Sequence, residues 1–190
     1  MNDLISTISI EIMPPGFDPG GFDCEEPDIT EYLCDGSAAR DCDASYSQTY
    51  LLRRGEELVG YFSVLADSIR LQGGEKPDGV RYPTAPAVTL GRMGVDASFR
   101  GNGVGTFVLD YVVGMARALS DDIGVRYVTL DALKRDSLVA WYSNYGFVKN
   151  KAVKAEWTAV QKFAGRFKKG QEPPTVSMRY DVLLEEEVLG

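Results

Sequence analysis

Histidine is missing from this chain altogether, which removes the side chain that most often carries protons in enzymes. Serine–histidine and cysteine–histidine nucleophilic pairs are therefore excluded. Any proton transfer must use a carboxylate, a tyrosine, a cysteine or an ordered water.

Cysteines and long apolar runs are also scarce. Cys24, Cys34 and Cys42 are odd in number and fit no metal-ligand spacing, so we expect reduced thiols and no metal. No apolar run approaches the roughly 18 residues of a membrane span. The first residues, Met1 to Leu4, lack the basic start and apolar run of a signal peptide. We therefore predict a cytoplasmic protein without membrane contact.

The charge balance disfavours a general nucleic-acid binder, because the net charge is −8. The charges are unevenly placed. Residues 1–50 carry eleven acids against Arg40 alone, whereas residues 149–169 carry seven bases against Glu156 alone. With 190 residues and 44% apolar content, the chain is predicted to form a single domain over residues 1–190.

Glycine, by contrast, is concentrated after a predicted strand at residues 87–96. Gly101, Gly103 and Gly105 occupy alternate positions, and a helical pattern follows at once. Glycine has no Cβ, so backbone N–H groups in such a loop can face a ligand closely. A helix start adds unsatisfied N–H groups and the positive end of the macrodipole. This combination predicts a pyrophosphate pocket and hence a nucleotide-bearing cofactor.

Two common phosphate loops do not match this stretch. The Walker pattern needs Gly-Lys-Ser/Thr, but Gly105 is followed directly by Thr106. The dinucleotide fingerprint needs G-x-G-x-x-G, and the spacing here is G-x-G-x-G. A glycine-rich turn that only caps a helix is the structural alternative.

Strands and helices are predicted to alternate along the rest of the chain. Apolar alternation and turn residues predict the remaining strands at 8–13, 48–52, 58–65, 125–130 and 175–182. Helices are predicted at 28–34, 37–44, from Val104 to about 121, and from a cap at Asp136 or Ser137 to Gly146. A polar excursion is expected at 72–86. The apolar stripe of the third helix is predicted to comprise Val104, Phe107, Val108, Tyr111, Val112, Met115 and Leu119.

A basic amphipathic helix is predicted over residues 151–169, within an insertion at about 150–172. One arc of its helical wheel is apolar and the opposite side carries lysine and arginine. Two interpretations stay open: a helix with a solvated charged face, or a docking surface for an acidic substrate or partner.

Three ordered motifs resemble the GNAT acetyltransferase superfamily. Arg100, Gly103 and Gly105 match its Arg/Gln-x-x-Gly-x-Gly/Ala loop. The stretch Ala140 to Phe147 resembles the superfamily's aromatic-Tyr-x-x-x-Gly-Phe signature, and Leu90 to Asp96 resembles the strand before the loop. The resemblance implies an α/β three-layer sandwich: a mixed, splayed sheet of six or seven strands with helices on both faces.

The resemblance also implies acetyl-CoA as the donor and a primary amine as the acceptor. The pantetheine arm is expected to pair with strand groups of Met93, Gly94 and Val95, and a backbone N–H near Val95 is the expected oxyanion donor. The diphosphate is expected on the loop residues Arg100, Gly101, Asn102, Gly103, Val104, Gly105 and Thr106.

Tyr142 matches the superfamily tyrosine beside the sulfur and is assigned as the general acid. Its structural alternative is a core aromatic that shares a helix stripe with Leu138 and Tyr145. Asp131 is the predicted general base, with Asp67 or a chain of waters as alternatives. One departure is Arg135, which stands where the superfamily commonly has an asparagine.

The acceptor is left open by the sequence. An amine on a small molecule or protein is the main expectation. Val59–Ser63, Gly91–Asp96 and Trp141-Tyr142 also resemble a branch of acetyltransferase toxins that modify charged tRNA, with residues 151–169 as the predicted tRNA contact. A non-catalytic CoA-binding module is a third alternative. Edges of this superfamily often build dimers, so a homodimer also stays open.

Overall fold

Seven strands and four α-helices make up the part of the chain that the computed structural model describes, residues 4–151 and 174–184. The strands are β1 Ser9–Ile12, β2 Gln48–Arg54, β3 Glu57–Arg70, β4 Thr84–Val95, β5 Tyr127–Leu133, β6 Val148–Lys149 and β7 Thr175–Asp181. The helices are α1 Pro27–Cys34, α2 Ser37–Asp43, α3 Val104–Ile123 and α4 Asp136–Tyr145. The basic helix predicted at 151–169 lies outside the described residues from 152 onward.

The strands form one mixed sheet in the order β1-β2-β3-β4-β5-β7-β6. Four strand pairs are antiparallel: β1 with β2, β2 with β3, β5 with β7, and β7 with β6. The chain divides into two compact units, Met1–Ala66 with Thr89–Met115, and Asp67–Val88 with Ala116–Gly190. The prediction of a mixed sheet of six or seven strands is confirmed, and the single-domain prediction stays a prediction.

Helices cover both faces of the sheet in the first unit. Consecutive residues of a strand point to opposite faces. In β3, the hydroxyl of Tyr61 donates to the Ile29 carbonyl of α1, while the Phe62 ring meets Tyr111 of α3 at 5.7 Å. The core on the α1 side contains Met13, Phe22, Cys24, Leu33, Ala38, Leu51 and Tyr61.

A smaller core belongs to the second unit, where Leu71 and Tyr127 pack with Ala85 and Ala87. Here β5 and β7 pair over their full length, with Thr129 opposite Arg179. Among the described residues, no helix is long and apolar enough to cross a membrane.

Several predicted boundaries were wrong by a few residues. The excursion predicted at 72–86 ends earlier, because β4 already begins at Thr84, and β3 continues to Arg70. The short strand β6 was not predicted. The cap predicted at Asp136 or Ser137 is also wrong, because Arg135 is the N-cap and makes no side-chain capping bond.

The predicted stripe of α3 includes one exposed residue, Tyr111, and omits the three buried residues Leu109, Val113 and Ala116. Tyr111 is 38% exposed, and its ring meets those of Tyr50 and Phe62 edge to face at 6.0 and 5.7 Å. The buried residues of the helix are Val104, Val108, Leu109, Val112, Val113 and Ala116.

Candidate active site

The glycine-rich loop connects β4 to α3 through a short 3-10 turn at Ala97–Phe99. Gly101 and Gly103 have φ angles of +74° and +82°, a backbone conformation that side chains with a Cβ rarely adopt. A Cβ added at either residue would meet no atom within 4 Å. The loop therefore presents bare backbone to open space, as a diphosphate site requires.

Helix α3 begins directly after this loop, at Val104. The N–H of Phe107 donates to the Gly103 carbonyl at 3.0 Å, which closes the first helical turn. The N–H groups before it have no partner within the helix and lie at the positive end of its dipole. The Asn102 side chain donates to the carbonyls of Phe99 and Arg100, each at 3.1 Å. These features fit an anionic ligand at the loop.

Arg100, the first motif residue, does not present a free cation to the loop. Its Nη1 lies 2.6 Å from Oε2 of Glu25, and its Nη2 donates to the Cys24 carbonyl. Its backbone N–H donates to the Ala97 carbonyl at 3.4 Å. The predicted diphosphate donors at this loop are thus the backbone N–H groups from Gly101 onward rather than the Arg100 side chain.

The turn before the loop is fixed by Asp96. Its carboxylate accepts hydrogen bonds from the backbone and hydroxyl of Ser98, at 3.0 and 2.5 Å, and from the Asp23 N–H at 3.3 Å. Burial alone raises the pKa of Asp96, but these hydrogen bonds outweigh it and hold the pKa below its ordinary value. Asp96 therefore stays charged and keeps the turn closed.

The β4 segment predicted to hold the pantetheine arm lies in the same unit as the loop. Gly94 is buried, and a Cβ there would approach Ile29 and Tyr61 to 3.0 Å. Met93 and Val95 are half-buried. The ten predicted coenzyme residues thus follow one another from the end of β4 into α3.

Tyr142 lies in the second unit, near the end of α4. It is buried, and its ring meets those of Trp141 and Phe147 edge to face at 4.7 and 5.6 Å. Burial raises the pKa of Tyr142 to about 12, so the hydroxyl keeps its proton at neutral pH. A protonated tyrosine is what an acid or hydrogen-bond donor toward a leaving thiolate requires.

The two carboxylates considered as general base are both exposed. Asp131 lies in β5 opposite Ser177 of β7. Asp67 lies in the last part of β3, where its Oδ1 accepts the Ser68 N–H at 2.7 Å. Both belong to the unit that contains Tyr142.

Sequence reasoning missed a buried ion pair in this second unit. Oε1 of Glu75 lies 2.8 Å from Nη1 of Arg179, and their side chains are only 3% and 11% exposed. Burial raises the pKa of Glu75, but the Gln72 N–H and the charge of Arg179 outweigh it and leave the pKa below its ordinary value. Arg179 also donates to Oδ1 of Asn150 at 2.8 Å. The pair thereby fastens residues 72–75 to β7.

No group of three or more histidine, cysteine, aspartate or glutamate side chains that would suit a metal ion occurs in the two described ranges. The three cysteines are free thiols, with Cys24 buried and Cys34 exposed.

Comparisons with known proteins agree with this geometry. A model of the Acetyltransferase (GNAT) family matches residues 11–147. A tRNA-acetylating toxin of Mycobacterium tuberculosis is 26% identical over 133 residues, which is 68% of this chain and 78% of the toxin.

Solved structures show the same fold at identities below 25%. A tyrosine-to-phenylalanine mutant of KacT matches with a TM-score of 0.72 and 21% identity, over 93% of this chain and 95% of that one. AtaT complexed with acetyl-methionyl-tRNAfMet matches with a TM-score of 0.72 and 19% identity, over 92% and 94%. AtaTR bound with acetyl-CoA matches with a TM-score of 0.69 and 19% identity, over 93% and 95%.

The family model covers most of the chain, and the seven-stranded sheet, the glycine loop and the helix after it agree with that match. The chain belongs to the GNAT acetyltransferase family and is an acetyl-CoA-dependent N-acetyltransferase.

Proposed function

We propose that this acetyltransferase transfers the acetyl group of acetyl-CoA to the amino group of an aminoacyl-tRNA. The observation that carries the donor half is the bare backbone at Gly101 and Gly103 directly before helix α3. The acceptor half is supported by the relatives, since the curated one is a tRNA-acetylating toxin and AtaT has been solved with an acetylated tRNA.

The coenzyme is held in this proposal by main-chain groups. N–H groups of residues 101–106 and the α3 dipole bind the diphosphate. The pantetheine arm pairs with Met93, Gly94 and Val95 in the manner of an added strand. A backbone N–H near Val95 then faces the oxygen of the tetrahedral intermediate. In this proposal the guanidinium of Arg100 does not bind the diphosphate, because it is paired with Glu25.

Tyr142 handles the departing sulfur. As the acceptor nitrogen bonds to the acetyl carbon, the carbon–sulfur bond breaks and the thiolate needs a proton. Thiols titrate near pH 8.5, so complete transfer from a tyrosine with a pKa of about 12 is uphill by roughly 3 to 4 pKa units, or about 5 kcal/mol. Tyr142 therefore stabilises the thiolate with a hydrogen bond, and the proton that the amine loses to the general base is the one that finally converts the thiolate to the thiol. Asp131 stays our predicted acceptor of the amine proton, with Asp67 or water as the alternatives.

The partners and location of the protein follow from the same proposal. Charged tRNA exists in the cytoplasm, which fits the predicted location. Structures of similar proteins include a KacTA–DNA complex and the AtaT toxin bound to the C-terminus of the antitoxin AtaR. We propose an antitoxin as a further partner of this chain, and homodimer formation stays a prediction.

A transfer assay tests the function. Purified protein is incubated with radiolabelled acetyl-CoA and either charged tRNA, uncharged tRNA, or a panel of free amines and proteins. We expect label in the charged tRNA alone, released as N-acetyl amino acid when the ester is hydrolysed. Label only in free amines or proteins would refute the tRNA acceptor and leave the acetyltransferase. Coenzyme binding without CoA release on any acceptor would favour the non-catalytic module.

Expression in a bacterial host gives an independent test. Induction of the wild-type chain is expected to arrest growth, and the Tyr142→Phe variant is expected to allow it. Normal growth with the wild-type chain would count against a toxin.

A further inference from the structure

The side chain of Arg100 is directed toward residues 23–25 on the chain before α1. Its Nη1 is 2.6 Å from Oε2 of Glu25, and its Nη2 donates to the backbone carbonyl of Cys24. The two contacts use two different nitrogens of one guanidinium. The fork geometry of arginine makes such a double contact directional.

The same three residues, Asp23 to Glu25, hold the turn that precedes the loop. We call them the clamp segment. The Ala97 N–H donates to the Asp23 carbonyl at 2.9 Å, and the Asp23 N–H donates to Oδ2 of Asp96 at 3.3 Å. The clamp segment therefore contacts the chain at Asp96, Ala97 and Arg100, immediately before the first loop glycine.

The backbone of the clamp segment is itself in an uncommon conformation. Glu25 has a φ of +54°, in the left-handed region that non-glycine residues rarely occupy. Its N–H donates to Oδ1 of Asp23 at 2.7 Å, and the same carboxylate oxygen accepts the Thr30 hydroxyl at 3.3 Å. Strain of this kind persists where the surrounding contacts fix the backbone, and here it directs the Glu25 side chain toward Arg100.

The coenzyme loop, residues 101–103, thus lies between two residues whose positions are fixed. Arg100 is held by the clamp segment at one end, and Val104 is 2% exposed in the core at the other. Between them, Gly101 and Gly103 have no atom near the position of a Cβ. Glycine backbone does not fix its own conformation, so the direction of the loop N–H groups depends on where the two ends are held.

We propose that Glu25 and Arg100 form a positioning pair that orients the loop for the diphosphate of acetyl-CoA without contacting the coenzyme. This inference rests on the proposed role of the loop as the diphosphate site. Its consequence is that an acidic residue near a polyanionic ligand strengthens the binding of that ligand.

Removal of the Glu25 carboxylate should change coenzyme affinity in opposite directions for a positioning pair and for an Arg100 that binds phosphate directly. If Arg100 instead binds phosphate directly, Glu25 competes for it, and removing the carboxylate tightens coenzyme binding. Simple charge repulsion predicts the same tightening. A positioning pair predicts the opposite, since loss of Glu25 lets the loop N–H groups turn away from the ligand.

The experiment compares wild type, Glu25→Gln, Arg100→Ala and the double variant. We expect Glu25→Gln to raise the dissociation constant of CoA by calorimetry, and the KM for acetyl-CoA, about threefold, in the range of an exposed ion pair. Arg100→Ala, which also loses the Cys24 bond, is expected to raise both about tenfold. The double variant should equal Arg100→Ala, because the two residues act as one unit. For Glu25→Gln, which lies outside the loop, kcat should be unchanged.

Two controls exclude a merely structural effect. Asp28→Asn removes the same charge from an exposed residue of α1 that does not contact Arg100, and it should leave KM unchanged or lower it. Acetyl-pantetheine, which lacks the diphosphate, should react equally well with wild type and Glu25→Gln, whereas general damage to the fold would slow both donors. If Arg100→Ala fails to fold, Glu25→Gln and Glu25→Asp carry the test.

An unchanged or lower KM for Glu25→Gln, or effects of the two residues that simply add, would overturn the positioning pair. A wild-type chain that does not bind CoA would refute the proposed function itself. The two failures are therefore distinguishable from the wild-type measurement alone.

Discussion

The backbone N–H of Phe147 donates a 3.0 Å hydrogen bond to the carbonyl of Tyr142, and the two rings meet edge to face at 5.6 Å. Between them Gly146 ends helix α4 with a φ of +117°, and a Cβ there would approach the Tyr180 ring to 3.0 Å. The segment from Tyr142 to Phe147 thus forms the C-terminal cap of helix α4. It orients Tyr142 through backbone and ring contacts rather than through its hydroxyl.

Replacing Tyr142 by phenylalanine should therefore remove the hydroxyl and little else. We expect kcat to fall about 100-fold or more, the range of a positioned acid. The dissociation constant of acetyl-CoA should be unchanged, because the coenzyme residues lie elsewhere in the chain. Steady-state kinetics and calorimetry measure the two quantities.

Tyr145→Phe is the matched control, three residues further along the same helix α4. Its kcat should stay within about twofold of wild type. Equal losses in the two variants would show that the helix tolerates neither change, and an unchanged kcat in Tyr142→Phe would remove its catalytic role.

Substitution of a loop glycine should weaken coenzyme binding selectively. Gly103→Ala places a Cβ on a residue with a φ of +82°, which costs about 1–2 kcal/mol, and directs a methyl group into the open space of the loop. We expect the KM for acetyl-CoA to rise at least about tenfold, since the N–H groups must turn to relieve this strain.

Gly114→Ala provides the control for this change within helix α3. Gly114 is exposed, and a Cβ there would meet no atom within 4 Å. Alanine should raise the free energy of unfolding by about 1 kcal/mol through helix propensity and leave KM unchanged. A similar KM in both variants would contradict the loop as the diphosphate site.

The parts of the fold that follow local spacing were predictable from sequence. The loop, the start of α3 at Val104 and the end of α4 at Gly146 each depend on residues within a few positions of one another. Pairings between distant residues were not, because no local pattern joins Arg100 to Glu25 or Arg179 to Glu75, which is 104 positions away. The role of Arg100 therefore needed the structure.

Burial was the second limit of the sequence. An apolar stripe predicts which face of a helix is covered, but it does not predict what covers it. Tyr111 fits the stripe of α3 and yet lies 38% exposed against the Tyr50 and Phe62 rings. Asp131 was predicted as the general base with Asp67 as an alternative, and both carboxylates are exposed in the structure, so the choice between them needs kinetics.

Alkaline pH should destabilise the fold through two buried tyrosines. Burial raises the pKa of Tyr142 to about 12 and raises that of Tyr61 further, while both titrate near 10 when unfolded. Because these pKa values are higher in the folded state, the full free energy of unfolding is present below pH 10. It falls as the pH rises from 10 to 12 and beyond. For Tyr142 the shift of about 2 units corresponds to about 3 kcal/mol.

Chemical denaturation at a series of pH values, with tyrosinate absorbance on the folded protein, measures this effect. Tyr142→Phe should reduce the loss of stability by about 2 kcal/mol between pH 10 and 12, and by about 3 kcal/mol over the whole titration. Titration of all tyrosines near pH 10 without unfolding would show that neither hydroxyl is buried as described.

Gly60 should tolerate no larger residue without a shift of β4, because the backbone of that neighbouring strand lies close to it. A Cβ at Gly60 of β3 would lie 2.5 Å from the Gly94 carbonyl oxygen and 3.3 Å from Cα of Val95. Both partners are backbone atoms, so Gly60→Ala must push β4 away. We expect a loss of about 2–3 kcal/mol in the free energy of unfolding. Because the displaced segment contains the proposed oxyanion donor at Val95, kcat/KM should fall at least about tenfold at temperatures where the variant stays folded.

Gly91→Ala tests the same strand with a softer contact. The Cβ there would lie 3.0 Å from Cδ2 of Leu65, the far end of a side chain that can rotate. It should therefore cost about 1 kcal/mol or less in stability and preserve kcat/KM. If Gly60→Ala keeps full activity while folded, the segment from Gly94 to Val95 does not position the acetyl group, and the oxyanion donor must be sought elsewhere in the chain.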